Sequence, residues 1–248
     1  MLTTVPAVRH NAAIDTVVDP FTFRNPPVVV VSRTTLYKMQ STWLGTGVGT
    51  AYAWLVLAAE ARRMARQQLA GQLPCRWRHS QAVADKAEAL CPLVPDPAGL
   101  VCAAWLHDIG YAPDVAMTGL HALDGARYLR ASGIDPLICS LVAHHSGAIY
   151  EARERGLDKF LEDEFPLAPQ PLSDALWYCD MVTGPDGSRT TLDDRLGEIR
   201  RRYGEGHVVT SSIQSAEVDL AGAMRRIEVQ LSTHERLVAQ PMYGSARR

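Results

Sequence analysis

The chain has 248 residues, 47% of them hydrophobic, enough for one generous core with at most a small appendage, so a single domain is the default. A formal charge of −2 gives no broad basic surface, which argues against nucleic-acid binding by phosphate neutralisation. Five scattered cysteines without a Cys-x-x-Cys pair fit a reduced chain, the apolar runs fall short of the ~20 residues a bilayer span needs, and no basic-then-apolar signal opens the sequence, so a soluble cytoplasmic protein is expected.

Residues 1–40 differ from the rest. The stretch VDPFTFRNPPVVVVSRTT has prolines, a β-branched run at Val28–Val31 that suits one isolated strand, and no helical periodicity, so a flexible N-terminal extension is expected. Met39, just ahead of the helical region, is a candidate natural start. From Tyr52 the helix signal dominates. AWLVLAAEARRMARQQLAG sets Leu55, Leu57, Ala58, Met64, Ala65 and Leu69 near one face and Arg62, Arg63, Arg66 and Gln67 toward the other, and Gly71 and Pro74 close it. A helix from Arg78 to Leu90 aligns His79 with Val83, Ala87 and Leu90, so His79 faces inward. A lone histidine on an apolar stripe is more often a hydrogen-bonded core residue than a ligand.

Pro95-Asp96-Pro97 opens the next helix, PAGLVCAAWLHDIGY, which Gly110 ends, and His107 and Asp108 occupy its last turn. Neighbouring helical positions diverge by about 100°, so both side chains can meet one ion only where the backbone turns away from the axis. A carboxylate at the negative helix end costs roughly 0.3–1 kcal/mol unless a cation compensates it. A short helix from Thr118 or Gly119 to Ala131 carries His121, with Asp124 placed either to hold the far nitrogen of His121 or merely to decorate the first turn. Asp135-Pro136 starts DPLICSLVAHHSG, which ends on the tandem His144-His145.

Residues 147–171 read as a helix followed by a proline-rich loop, and PLSDALWYCDMVTG as a buried helix with Ser173 as N-cap. Asp180 inside that apolar run is expensive to bury without a partner. Helices at Leu192–Tyr203 and about Ser212–Leu237 finish the chain, with Arg200, Arg201 and Arg202 read as a solvated face.

Five of the eight histidines thus fall between His79 and His145, followed by Asp180; imidazole and carboxylate are ligands for Zn, Mn, Fe and similar ions. This order of His, His-Asp and distant Asp, each in a helical context behind apolar residues, resembles the HD superfamily of metal-dependent phosphohydrolases over roughly residues 75–185, with weaker support to about 235. The resemblance implies an all-α HD-domain helical bundle over residues 41–240. It implies one divalent ion (Mn, Fe, Co, Mg or Zn) on His79, His107, Asp108 and Asp180, and a second on His121 with His144 or His145 or both, Asp108 bridging. His107 and Asp108 become the catalytic pair, in a hydrolase acting on a small phosphorylated metabolite or nucleotide. Of the tandem pair, one histidine can coordinate while the other donates to substrate.

Within the superfamily, RWRHSQAVADKAEAL, LHDIGY, LHALDGARYL and AHHSGA are most similar to bacterial hydrolases of diadenosine tetraphosphate and related nucleotides. Many relatives have Lys where Tyr111 stands, and neither a Gly-Tyr-Pro motif nor a His-Asp-x-x-Glu-Asp signature is present. Phosphate partners are therefore sought among Arg76, Arg78 and Arg127, with Arg189 further off. Tyr111 either packs on the helix end or lids a metal. A di-iron oxygenase and a ligand-sensing module without catalysis are the alternatives. Small phosphorylated substrate is the one expected partner, with no nucleic acid and no membrane.

Overall fold

The computed structural model describes residues 47–239, with side chains from Trp54 onward. The expected N-terminal extension at 1–40, its lone strand and the candidate start at Met39 lie outside the described residues. Among the described residues ten α-helices run in order: α1 (Gly47–Leu69), α2 (Pro74–Leu90), α3 (Pro97–Leu106), α4 (His121–Ala131), α5 (Pro136–Ala143), α6 (Ala148–Glu154), α7 (Asp158–Glu164), α8 (Gln170–Met181), α9 (Leu192–Tyr203) and α10 (Val208–Ala239). The fold class is all-α, as expected; among the described residues the only β feature is one bridge between Thr183 and Arg189.

Helix α3 explains the packing. Its sequence PAGLVCAAWL has no polar side chain, and every residue from Gly99 to Leu106 is buried. A helix that is apolar all round needs neighbours all round; α1, α2, α5 and α8 supply them. Asp96 fixes its start, with Oδ1 accepting from the Gly99 N–H at 3.0 Å, and Asp135 does the same for α5 through the Leu137 N–H at 2.8 Å. A second, smaller apolar cluster joins Met181 of α8 to Leu196 and Ile199 of α9 and to Ala216, Leu220, Ala223 and Met224 of α10.

Several boundaries differ from expectation. Helix α3 stops at Leu106, so His107 caps it and Asp108 stands beyond, at the entry to a 3-10 turn over Ile109–Tyr111. Helix α8 starts at Gln170 with Pro171 in its first turn, where the missing N–H costs nothing; Ser173 is therefore interior, and its hydroxyl donates to the Ala168 carbonyl. The charged stretch after residue 147 forms two short helices, α6 and α7, and α10 begins at Val208.

Candidate metal centre

Three of the helices, α3, α5 and α8, end in the site, and α2 and α4 begin beside it. Helix α2 contributes Arg76 and His79, three residues apart and so on one face. The end of α3 contributes His107 and Asp108, the start of α4 His121, the turn after α5 His145 and Ser146, and the last turn of α8 Asp180. Ser146 makes that turn possible. It is a non-glycine residue in the left-handed region (φ 47°, ψ 37°), followed by Gly147 at φ 73°, and this double reversal swings the chain from α5 into α6. The Ser146 hydroxyl donates to Asp180 Oδ2, a partner the sequence did not announce.

Three histidines are fixed in the same way. His79 Nδ1–H donates to the Gly184 carbonyl at 2.9 Å, His107 Nδ1–H to Ala104 at 2.8 Å, and His145 Nδ1–H to Val142 at 2.6 Å. A carbonyl only accepts, so the proton sits on Nδ1 and each Nε2 presents a lone pair. Those lone pairs converge on carboxylates: His79 Nε2 lies 2.9 Å from Asp180 Oδ1 and 3.9 Å from Asp108 Oδ2, and His107 Nε2 lies 3.6 Å from Asp108 Oδ2. His145 Nε2 lies 3.1 Å from His121 Nε2, which is itself 3.8 Å from Asp108 Oδ1. His107 Nε2 is fully buried and has no hydrogen-bond partner among the described residues.

His145 Nε2 can accept from His121 Nε2–H, whereas the Nε2 atoms of His79 and His107 face carboxylate oxygens, an arrangement that a cation between them would stabilise. Two triads of such atoms, His79–His107–Asp108 and Asp108–His121–His145, each lie within 4.8 Å, with Asp108 common to both. Charge states agree with the donor geometry. Burial alone would raise the Asp108 carboxyl, but Arg76 and the facing His107, His79 and His121 hold it well below the usual carboxylate range. Asp180 is likewise held low against its burial by the His79 contact and His107. Burial pushes His107 and His121 down, and His145 pushes His121 further. Imidazole nitrogens around two anionic carboxylates form the donor set a divalent ion takes. The residues present fit such an ion.

Residues 76–177 match the family model described as HD domain. Over that segment the chain is similar to HD domains. His79, His107, Asp108, His121 and His145 lie within the matched segment, while Asp180 falls just beyond its end. Comparison with curated proteins and with solved structures gave no match. None of the described helices is long and apolar enough to cross a membrane.

Other predicted site residues divide sharply around the His/Asp cluster. Arg76 belongs to it: Nη1 donates to Asp108 Oδ2 at 2.8 Å, and the guanidinium lies 3.8 Å over the Tyr111 ring, which stacks at 4.0 Å on His121. Tyr111 thus packs on a candidate ligand and also lines the pocket. Arg78 points away, exposed and donating to Cys75 Sγ. Asp124 does not reach His121; its buried carboxylate accepts from the Met117 and Thr118 N–H groups and the Thr118 hydroxyl, pinning the loop before α4.

His144 is placed outside the cluster. Its Nε2 meets the Phe165 carbonyl at 2.8 Å and its own carbonyl accepts from Trp177 Nε1, because the turn at His145-Ser146 sends the two neighbours in opposite directions. His144→Ala is therefore expected to cost about 1–3 kcal/mol, the penalty for a lost buried hydrogen bond, and to leave metal content unchanged. His145→Ala should lose metal; urea unfolding and elemental analysis of the two variants separate the roles.

Arg127 also misses the site. It forks onto Glu164 on α7, which Arg130 shares, and it lies over the Phe160 ring. The arginines hold the Glu164 carboxyl below its ordinary value. Glu164→Gln should cost at most about 1 kcal/mol at pH 7. A lowered folded pKa gives stability that is present above the unfolded value and lost as pH falls, so the gap between variant and wild type should close below about pH 4. Urea midpoints across pH read this out.

The pocket over the cluster has a second wall. Arg195, Ile199, Arg202 and Tyr203 of α9 and Val209, Ser212, Ile213 and Ala216 of α10 complete it, all outside the matched segment. Arg200, Arg201 and Arg202 are exposed, as expected, and Arg202 also reaches this wall and pairs with Glu198. The cavity measures ≈ 90 Å³, about three water volumes at roughly 30 Å³ each.

Proposed function

We propose that the chain is a metal-dependent phosphohydrolase acting on a small phosphorylated metabolite or nucleotide. The supporting observation is the fixed tautomer of His79, His107 and His145, whose Nε2 lone pairs all face Asp108, Asp180 or His121. His79, His107, Asp108 and Asp180 would hold one divalent ion, and His121 and His145 a second that shares Asp108. The mixed imidazole–carboxylate set favours Fe, Zn or Mn over Mg. Ions bound there would withdraw charge from phosphoryl oxygens and acidify water for in-line attack.

The protein's own groups prepare that chemistry. Arg76 keeps Asp108 anionic and fixed, Ser146 orients Asp180, and the Gly184, Ala104 and Val142 carbonyls aim the imidazoles. Met181, Ile199 and Ile213 line the cavity with apolar surface, which limits water around the reacting group. Dinucleoside polyphosphates belong among the substrates to try, given the likeness of the motifs to diadenosine tetraphosphate hydrolases.

The test is metal content of protein purified without added ions, together with phosphate release from mononucleotides, sugar phosphates and dinucleoside polyphosphates under Mn, Co, Fe and Mg. Chelator-sensitive release is the expected result. Two tightly held irons with no release from any compound would point to an oxygenase, and ligand binding with neither would point to a sensing module.

A further inference from the structure

The guanidinium of Arg195 is left half satisfied in a place where that is costly. The residue is only 6% exposed, near the start of α9, yet lines the pocket over the His/Asp cluster. Nη1 donates to Glu198 Oε2 at 2.6 Å, which leaves the Nε–Nη2 edge to other acceptors, and the fully buried Nε–H meets none among the described residues. A buried polar group without a partner costs about 1–3 kcal/mol, more when it is charged. The same edge, two parallel N–H groups, is the fork that fits two phosphate oxygens. Of the other arginines lining this pocket, Arg76 is committed to Asp108 and Arg202 to Glu198.

We propose that Arg195 forms an anion subsite in the wall of the pocket over the His/Asp cluster and binds the phosphate group of the substrate through its guanidinium, the side chain turning so that its unpartnered Nε–H shares in the contact. The role of this phosphate in catalysis rests on the hydrolase reading; the subsite itself does not. Glu198 sets its strength, because one carboxylate is shared between Arg195 and Arg202 and so partly neutralises both. The body of the ligand then lies against Ile199, Val209 and Ile213, an apolar surface that suits an aliphatic or aromatic phosphoester.

The probe is inorganic phosphate, titrated calorimetrically into the full chain carrying its own metal complement, with sulfate and acetate as comparison anions. Arg195→Gln is expected to weaken phosphate binding at least tenfold at unchanged metal content, and Arg195→Lys, which keeps the charge but not the fork, to recover only part of it. Glu198→Gln should tighten phosphate binding threefold or more, and this variant decides the matter if Arg195→Gln does not fold. Phosphate affinity within twofold of wild type in Arg195→Gln, or unchanged in Glu198→Gln, overturns the proposal, as does equal affinity for acetate. Arg195-dependent phosphate binding without turnover of any phosphoester would retain the subsite and remove the hydrolase. Turnover with a KM indifferent to Arg195 would do the reverse.

Discussion

Asp108→Ala is expected to remove bound metal and phosphate release together, with activity falling by at least about 10³, the scale on which losing an electrostatic anchor of the transition state acts. Asp108 is the one residue common to both triads, so its loss cannot be compensated by the remaining ligands of either. The same change strands Arg76, whose charge burial opposes and Asp108 restores. Breaking a buried pair from one side costs up to about 3–5 kcal/mol, less here because the Arg76 side chain is 20% exposed. Asp108→Asn separates the effects. It keeps the shape and a hydrogen-bond acceptor for Arg76, so it should stay folded while holding little metal. Elemental analysis, circular dichroism and phosphate release on both variants provide the check, and full activity in folded Asp108→Asn would end the assignment.

The helical order, the centrality of α3 and most of the cluster were legible because they rest on local rules: apolar periodicity, proline and aspartate at helix starts, and the expense of burying Asp180 without a partner. Which tandem histidine joins the cluster was not legible. That depends on a left-handed Ser146, a conformation serine rarely adopts and no pattern announces. The sites of Arg78 and Arg127 were misjudged for a related reason. Nearness in sequence to a ligand says little about direction, since Arg78 stands one residue from His79 and so projects about 100° away from it. Arg195 could not be found from a motif at all. It reaches the pocket because α9 folds back over the matched segment against α10, a long-range arrangement with no short-range signature. Its one sequence hint was an arginine in an amphipathic helix, Leu192–Tyr203, whose apolar positions Leu196 and Ile199 already marked an inward face.

Gly110→Ala should produce the second large effect, and it tests how the HD motif is held against α4. From sequence this glycine looked like a helix terminator, but α3 has ended four residues earlier, and Gly110 is not among the positive-φ glycines. Its role is close approach. A Cβ at this position would lie 1.9 Å from the His121 carbonyl oxygen and 2.7 Å from the Gly125 nitrogen. Both obstacles are backbone, so no side-chain rotation relieves them, and α4 must move by more than about 1 Å. Gly125, on the other side of the same contact, has more room: a Cβ there would lie 3.1 Å from the Gly110 nitrogen and 3.2 Å from Ile109 Cγ2. The expected order is therefore Gly110→Ala, costing about 3 kcal/mol or more, then Gly125→Ala, costing about 1–2 kcal/mol. In thermal melts the first corresponds to a Tm lower by roughly 6–12 °C. The displacement falls on His121, the residue at both the clash and the second triad, so the 3.8 Å approach of its Nε2 to Asp108 Oδ1 opens. Metal held through His121 and His145 should then be lost before metal held through His79 and His107. A Gly110→Ala protein that melts with the wild type and retains the same metal stoichiometry would show that α4 is not positioned by this contact.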